Sequence, residues 1–200
     1  MACLRWSGSP WYAYSHIDGG VGNDPSIDPV LLLDYDGVLH PDEVYLERGR
    51  PVLRARGELF IWVPLLEAAL APHPQVRIVL STSWARELRF ATARDRLPPG
   101  LRARVIGATW HSTMGRIDGV SLGRTTWWDQ ATRYEQIRRY VNRAGLHAWV
   151  AIDDRPEGWA EADRGCLVRT HSSRGLSESR VMDELTGQLE RICNQGRDES

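Results

Sequence analysis

Residues 30–33 are four consecutive apolar positions that run directly into Asp34, Tyr35, Asp36 and Gly37. This is the pattern of a strand buried on both faces that ends abruptly at polar residues. Less continuous apolar segments at residues 76–80, 104–108, 147–152 and 166–168 predict four more strands. The segments between them repeat with a helical period. Residues 59–71 read as a helix with Pro64 in its first turn or kinking it, and a second helix opens at Ser83 and continues to about Arg96, where Pro98, Pro99 and Gly100 stop it. Residues 129–144 place Tyr134, Ile137, Val141 and Ala144 at helical spacing before Gly145, and residues 176–193 set Val181, Leu185, Leu189 and Ile192 along one face. Strands alternating with helices predict an α/β fold, a parallel sheet of about five strands with helices on both faces, in which ligands bind at the carboxyl ends of the strands.

The ends of the chain and one internal stretch fall outside this pattern. Residues 1–29 scatter Trp6, Trp11, Tyr12 and Tyr14 among Ser, Gly, Pro and Asp without a period, and read as a loosely ordered leader. The domain is expected over residues 30–194, with residues 195–200 as a tail. Residues 109–126, rich in Gly, Ser and Thr and carrying Trp110 and His111, read as a long loop or small insertion.

Composition narrows the chemistry. The chain has 200 residues and a net charge of −1, which argues against a surface that coats duplex nucleic acid. All 25 basic residues are arginine, so Schiff-base catalysis and a phosphate-loop lysine are excluded. A site that neutralises phosphate must then use arginine, whose planar fork grips two oxygens. Cys3, Cys166 and Cys193 are odd in number and lack a Cys-x-x-Cys spacing, offering neither a disulfide framework nor a zinc knuckle. No apolar stretch approaches the length of a membrane span, and the expected location is the cytoplasm, with no membrane and no obligate protein partner.

The candidate chemistry gathers at strand ends. Asp34 and Asp36 end the first strand, Ser81, Thr82 and Ser83 the second, and Asp153 with Asp154 the fourth, so all three groups should meet in one crevice. Alternation along an extended chain would point Asp34 and Asp36 the same way, to share a hard cation or to divide nucleophile and acid roles. Each group taken singly also fits a blander reading, a strand running into a turn for Asp-x-Asp-Gly and a helix cap for the Asp153–Asp154 pair.

Together, LLLDYDGVL at 31–39, VLSTSW at 79–84 and VAIDDRP at 150–156 resemble the first, second and fourth motifs of the haloacid dehalogenase (HAD) superfamily, over residues 30 to 185. The resemblance implies a HAD-like, Rossmann-type fold and a phosphohydrolase in which Asp34 attacks phosphorus, Asp36 protonates the leaving oxygen and Thr82 holds a phosphoryl oxygen. Arg133 is the implied third-motif cation, with Arg124 as the alternate. It further implies a Mg2+ site from Asp34, the Asp36 main chain, Asp154 and Asp153, and substrate contacts at Ser81, Gly37 and His40, although His40 also suits a purely local hydrogen bond. About 40 residues separate the first two motifs, room for a flap and a helix but for no large cap. An open site favours a nucleotide or nucleic-acid terminal phosphate, and TSWAREL with the DDRP ending is similar to HAD domains of RNA-repair proteins and 5′(3′)-deoxyribonucleotidases. A phosphoprotein phosphatase and a catalytically silent binding or regulatory module are the alternatives. Trp84 and Trp110 are candidates to stack a base or, more commonly, to pack a core, and Arg86, Arg89, Arg94 and Arg96 to face phosphates or solvent.

Overall fold

The computed structural model describes residues 28–110 and 127–198. Residues 1–27 of the expected leader and residues 111–126 of the expected insertion, Arg124 among them, lie outside the described residues. Five strands, β1 (Val30–Leu33), β4 (Arg77–Leu80), β5 (Val105–Ala108), β6 (Trp149–Asp153) and β7 (Leu167–Arg169), form one parallel sheet in the order β5-β4-β1-β6-β7. Every residue of β1 is fully buried, as a central strand covered by helices on both faces requires.

Alternation along the strands divides the core in two. On one face Leu31, Leu33, Ile78, Leu80, Val150 and Ile152 pack with Leu66 and Leu70 of α1 (Val63–Leu70) and with Leu185, Leu189 and Ile192 of α7 (Ser179–Asp198). On the other face Val30, Leu32, Val79 and Ala151 meet Ile137 and Val141 of α6 (Arg133–Ala144). The chain builds outward from β1 through β4 to β5, then returns to the far side for β6 and β7. The direction reverses beside β1, and the crevice that opens there lies between the ends of β1 and β6.

Several element boundaries differ from the sequence reading, each for a local reason. The first helix starts at Val63 rather than residue 59, because Phe60 takes a left-handed backbone (φ 63°) that no helix accommodates; Pro64 sits in the first turn. The helix expected from Ser83 to Arg96 divides into α2 (Trp84–Glu87) and α3 (Phe90–Arg94) at Arg89, which also has positive φ (71°). Residues 99–102 form α4 (Pro99–Arg102). The helix expected over residues 129–144 divides into α5 (Trp127–Gln130) and α6, because Thr132 caps α6 through a reciprocal capping box with Glu135. Gly145 ends α6 in the left-handed conformation, as its position predicts. The last helix begins at Ser179, after a single 3-10 turn (Gly175–Ser177), and extends to Asp198. The flap between the first two motifs is an antiparallel hairpin of β2 (Val44–Glu47) and β3 (Arg50–Leu53).

Candidate active site

Parallel pairing brings the strand ends together. Leu33 is in register with Leu80 on one side and Ile152 on the other, so Asp34 lies between Ser81 and Asp153. Backbone bonds hold these ends: the Ser81 N–H donates to Leu33 O (2.8 Å) and the Asp34 N–H to Ile152 O (3.2 Å).

Asp34, Asp153 and Asp154 each place a carboxylate oxygen within 4.8 Å of the others. Asp34 and Asp153 are almost wholly buried, and one cation joins them. Arg133 Nη2 donates to Asp34 Oδ2 (3.1 Å), and its Nε lies 3.1 Å from Asp153 Oδ2. Arg133 is the first residue of α6, so the Thr132 cap that fixes the helix start also fixes where this guanidinium is presented. Its third nitrogen, Nη1, donates to Gln136 one turn on (3.3 Å).

Burial raises the Asp34 pKa above the ordinary carboxylate range and Asp36 adds to the rise, against the pull of Arg133 and the Tyr35 N–H, which donates to Asp34 Oδ1 (2.7 Å). Asp153 is pushed well above its ordinary value, first by burial and then by the charge on Asp34. Burial, with Asp34 and Asp42 nearby, raises Asp154 to about 7. For Arg133, burial works against the charge, but Asp34 and Asp153 outweigh it and hold the guanidinium above its ordinary value.

These residues fit a hard divalent cation. Three carboxylates facing one buried guanidinium leave an excess of two negative charges, the complement of such an ion. Asp154 Oδ1 is buried without a hydrogen-bond partner, a costly state that coordination would relieve, whereas Asp153 Oδ2 already has the Arg133 ion pair.

Asp36 takes a different path. β1 ends at Leu33 and the chain turns tightly over residues 35–39, with the Leu39 N–H donating back to Tyr35 O (2.8 Å). Strand alternation is lost there, and the Asp36 carboxylate lies outside the acidic cluster rather than sharing a cation through its side chain. Trp84 Nε1 donates to both of its oxygens (2.9 and 3.0 Å), and His40 Nε2 lies 3.1 Å from Oδ1.

The residues expected to contact substrate are all buried and differ in the bonds they make. Ser81 and Thr82 end β4 and are buried; Ser81 Oγ has no hydrogen-bond partner, and Thr82 Oγ1 accepts from the Trp84 N–H (3.4 Å). His40 is fully buried and has both ring nitrogens engaged within the protein, the local hydrogen bonding that its position also suits. Gly37 is buried with φ +70°, and a Cβ there would collide with the Asp154 carboxylate. It makes room for the acidic cluster, and its carbonyl accepts from Thr170 Oγ1 (2.7 Å). Trp84 is 4% exposed and closes the core instead of stacking a base, while Arg86 pairs with Asp129 and Arg94 with Asp95.

Sequence reasoning did not assign Trp84 to Asp36, Thr170 to the Gly37 turn, or Arg155 to the mouth of the site. The Arg155 guanidinium stands 3.9 Å from Asp154 and 3.8 Å from Asp42, and is 56% exposed. The one available clue was position, since all three sit within a few residues of a strand's carboxyl end.

Comparison with known families matches residues 30–181 to the model of the HAD domain in Swiss Army Knife RNA repair proteins. Comparison with curated proteins and with solved structures finds no match.

Proposed function

We propose that this chain, which belongs to the family of HAD domains in Swiss Army Knife RNA repair proteins, is a Mg2+-dependent phosphohydrolase acting on a nucleic-acid or nucleotide terminal phosphate through an aspartate nucleophile. The observation that carries the reading is the Asp34–Arg133–Asp153 array, a buried carboxylate held by one guanidinium at the carboxyl end of the central strand.

Asp34 attacks phosphorus, forming an aspartyl-phosphate as the P–O bond to the leaving group breaks. Two bonds aim it, from the Tyr35 N–H and from Arg133 Nη2. Arg133 also offsets the repulsion between this carboxylate and an anionic phosphoryl group. Thr82, with Ser81 beside it, supplies a hydroxyl for a phosphoryl oxygen at the end of β4. Asp36 gives its proton to the leaving oxygen, then takes one from the water that hydrolyses the intermediate. Asp34, Asp154 and the Asp36 carbonyl would hold Mg2+, with Asp153 in support. When bound, the ion supplies positive charge to the transferring phosphoryl group.

The nucleic-acid preference rests on the family and on the open setting. Among the described residues the insertion between the first two motifs is only the short β2–β3 hairpin, too small to enclose a substrate, and Arg155 stands exposed at the mouth. The test is phosphate release from mononucleotides, 3′- and 5′-phosphorylated oligonucleotides, a phosphopeptide and an aryl phosphate, with and without Mg2+. The expected result is Mg2+-dependent release, fastest from an oligonucleotide end and abolished by Asp34→Asn. Release that survives Asp34→Asn refutes the nucleophile, and a preference for the phosphopeptide refutes the substrate class.

A further inference from the structure

Asp36 sits on a box of four aromatic residues that does more than fill space. The Phe60 ring packs edge-on against Tyr35 (5.2 Å), His40 (5.0 Å) and Trp84 (5.3 Å), and Tyr35 is anchored by its hydroxyl, which donates to Ala93 O (3.0 Å). Phe60 holds a left-handed backbone, an unfavourable state for a bulky residue. In that conformation its N–H donates to His40 Nδ1 (3.3 Å). Nδ1 is therefore an acceptor, so the neutral ring carries its proton on Nε2, which faces Asp36 Oδ1.

Oδ1 thus receives two N–H donors, from His40 and from the indole, whose other contact is with Oδ2. Oδ2 has only that shared indole proton and a distant Ser83 hydroxyl at 3.5 Å. We infer that Trp84 and His40 are positioning residues that saturate Oδ1 and so make Oδ2 the oxygen through which Asp36 exchanges its proton. The inference rests on the phosphohydrolase reading. The Oδ2 proton passes to the leaving oxygen as its bond to phosphorus breaks and the Asp34–phosphorus bond forms. Oδ2 then takes a proton from the water whose oxygen displaces Asp34 from phosphorus.

A purely structural role would lower turnover of every substrate alike. A positioning role falls hardest on substrates whose leaving group must be protonated. Trp84→Phe keeps the ring and deletes the N–H; His40→Met deletes the second donor, and His40→Gln restores an N–H near the Nε2 position. Because proton transfer by a positioned side chain is worth roughly 100- to 10,000-fold, Trp84→Phe and His40→Met should cut the single-turnover rate of leaving-group release, the step that precedes hydrolysis of the aspartyl-phosphate, by about tenfold or more for a phosphorylated oligonucleotide and by less than about threefold for an aryl phosphate. His40→Gln should recover most of the loss. Two-bond proton–nitrogen NMR on the wild-type protein should show His40 protonated at Nε2. Equal losses on both substrates, no loss, or a His40 proton on Nδ1 each overturn the inference. A wild-type protein that releases phosphate from neither substrate defeats the phosphohydrolase reading, whereas NMR still decides the Asp36 geometry separately.

Discussion

Removing the buried cation by Arg133→Ala is the perturbation whose size the structure fixes best. The guanidinium is 9% exposed and lies 3.1 Å from the carboxylates of Asp34 and Asp153, themselves 2% and 0% exposed. At an effective dielectric of about 20, each contact is worth roughly 5 kcal/mol in gross Coulomb energy, and the desolvation of three charges consumes most of that gain. Breaking such a cluster by deleting one partner leaves buried, unpaired charge and costs about 3–5 kcal/mol. For a chain of this size that corresponds to a fall in Tm of roughly 6–20 °C. The assay is thermal unfolding at pH 8 in the presence of a chelator. Adding Mg2+ should narrow the gap, because the variant's cluster carries one more uncompensated negative charge. A Tm within about 1 °C of wild type in chelator, a difference of roughly 0.5 kcal/mol or less, would refute the reasoning.

Three further predictions follow from the same geometry. Thr132→Ala removes the α6 cap, and its cost of about 1 kcal/mol in denaturant unfolding should come with a fall in kcat, because Arg133 is the next residue. Gly37→Ala drives a methyl group into the Asp154 carboxylate from an unfavourable backbone conformation, so calorimetry should show Mg2+ affinity lost ahead of global folding. The third concerns pH. With Asp154 raised to about 7 in the metal-free protein, the native state holds a proton that the unfolded chain has already released above its ordinary pKa near 3.8. Asp154 therefore makes metal-free stability fall as pH rises from about 4 to about 7, and level off above that. Mg2+ must displace this proton, so its stabilising shift in Tm should be larger at pH 8 than at pH 6; the reverse order would contradict the assignment.

The architecture was legible because β1 is so heavily marked. Four apolar residues in succession bounded by polar ones suit a strand covered on both faces, and the acids that follow it, like those at the end of β6, fall at the sheet end where such folds bind ligands. The meeting of Asp34, Asp153 and Asp154 was implied by topology alone. What escaped was set by contacts between residues distant in sequence. The β2–β3 hairpin has no face buried along its length, so it carries no clean alternation. Phe60 and Arg89 have positive φ without being Gly or Asn, and local propensity would assign neither. Trp84 follows a cluster of hydroxyl residues with nothing in its own neighbourhood to indicate that its indole reaches back to Asp36, 48 positions earlier. His40 was open to two readings from its place beside the first motif, a substrate contact or a local hydrogen bond, and its burial and two internal hydrogen bonds agree with the second.

The central claim is that Asp34 becomes covalently phosphorylated during turnover. The direct measurement is to quench the reaction with substrate and Mg2+ present, reduce with borohydride, digest the protein, and sequence the peptide spanning β1 by mass spectrometry. An acyl phosphate at Asp34 is reduced to homoserine, and the account predicts homoserine at position 34, dependent on both substrate and Mg2+. An unmodified Asp34 under conditions of active phosphate release, or homoserine at Asp36 or Asp153 instead, would contradict it.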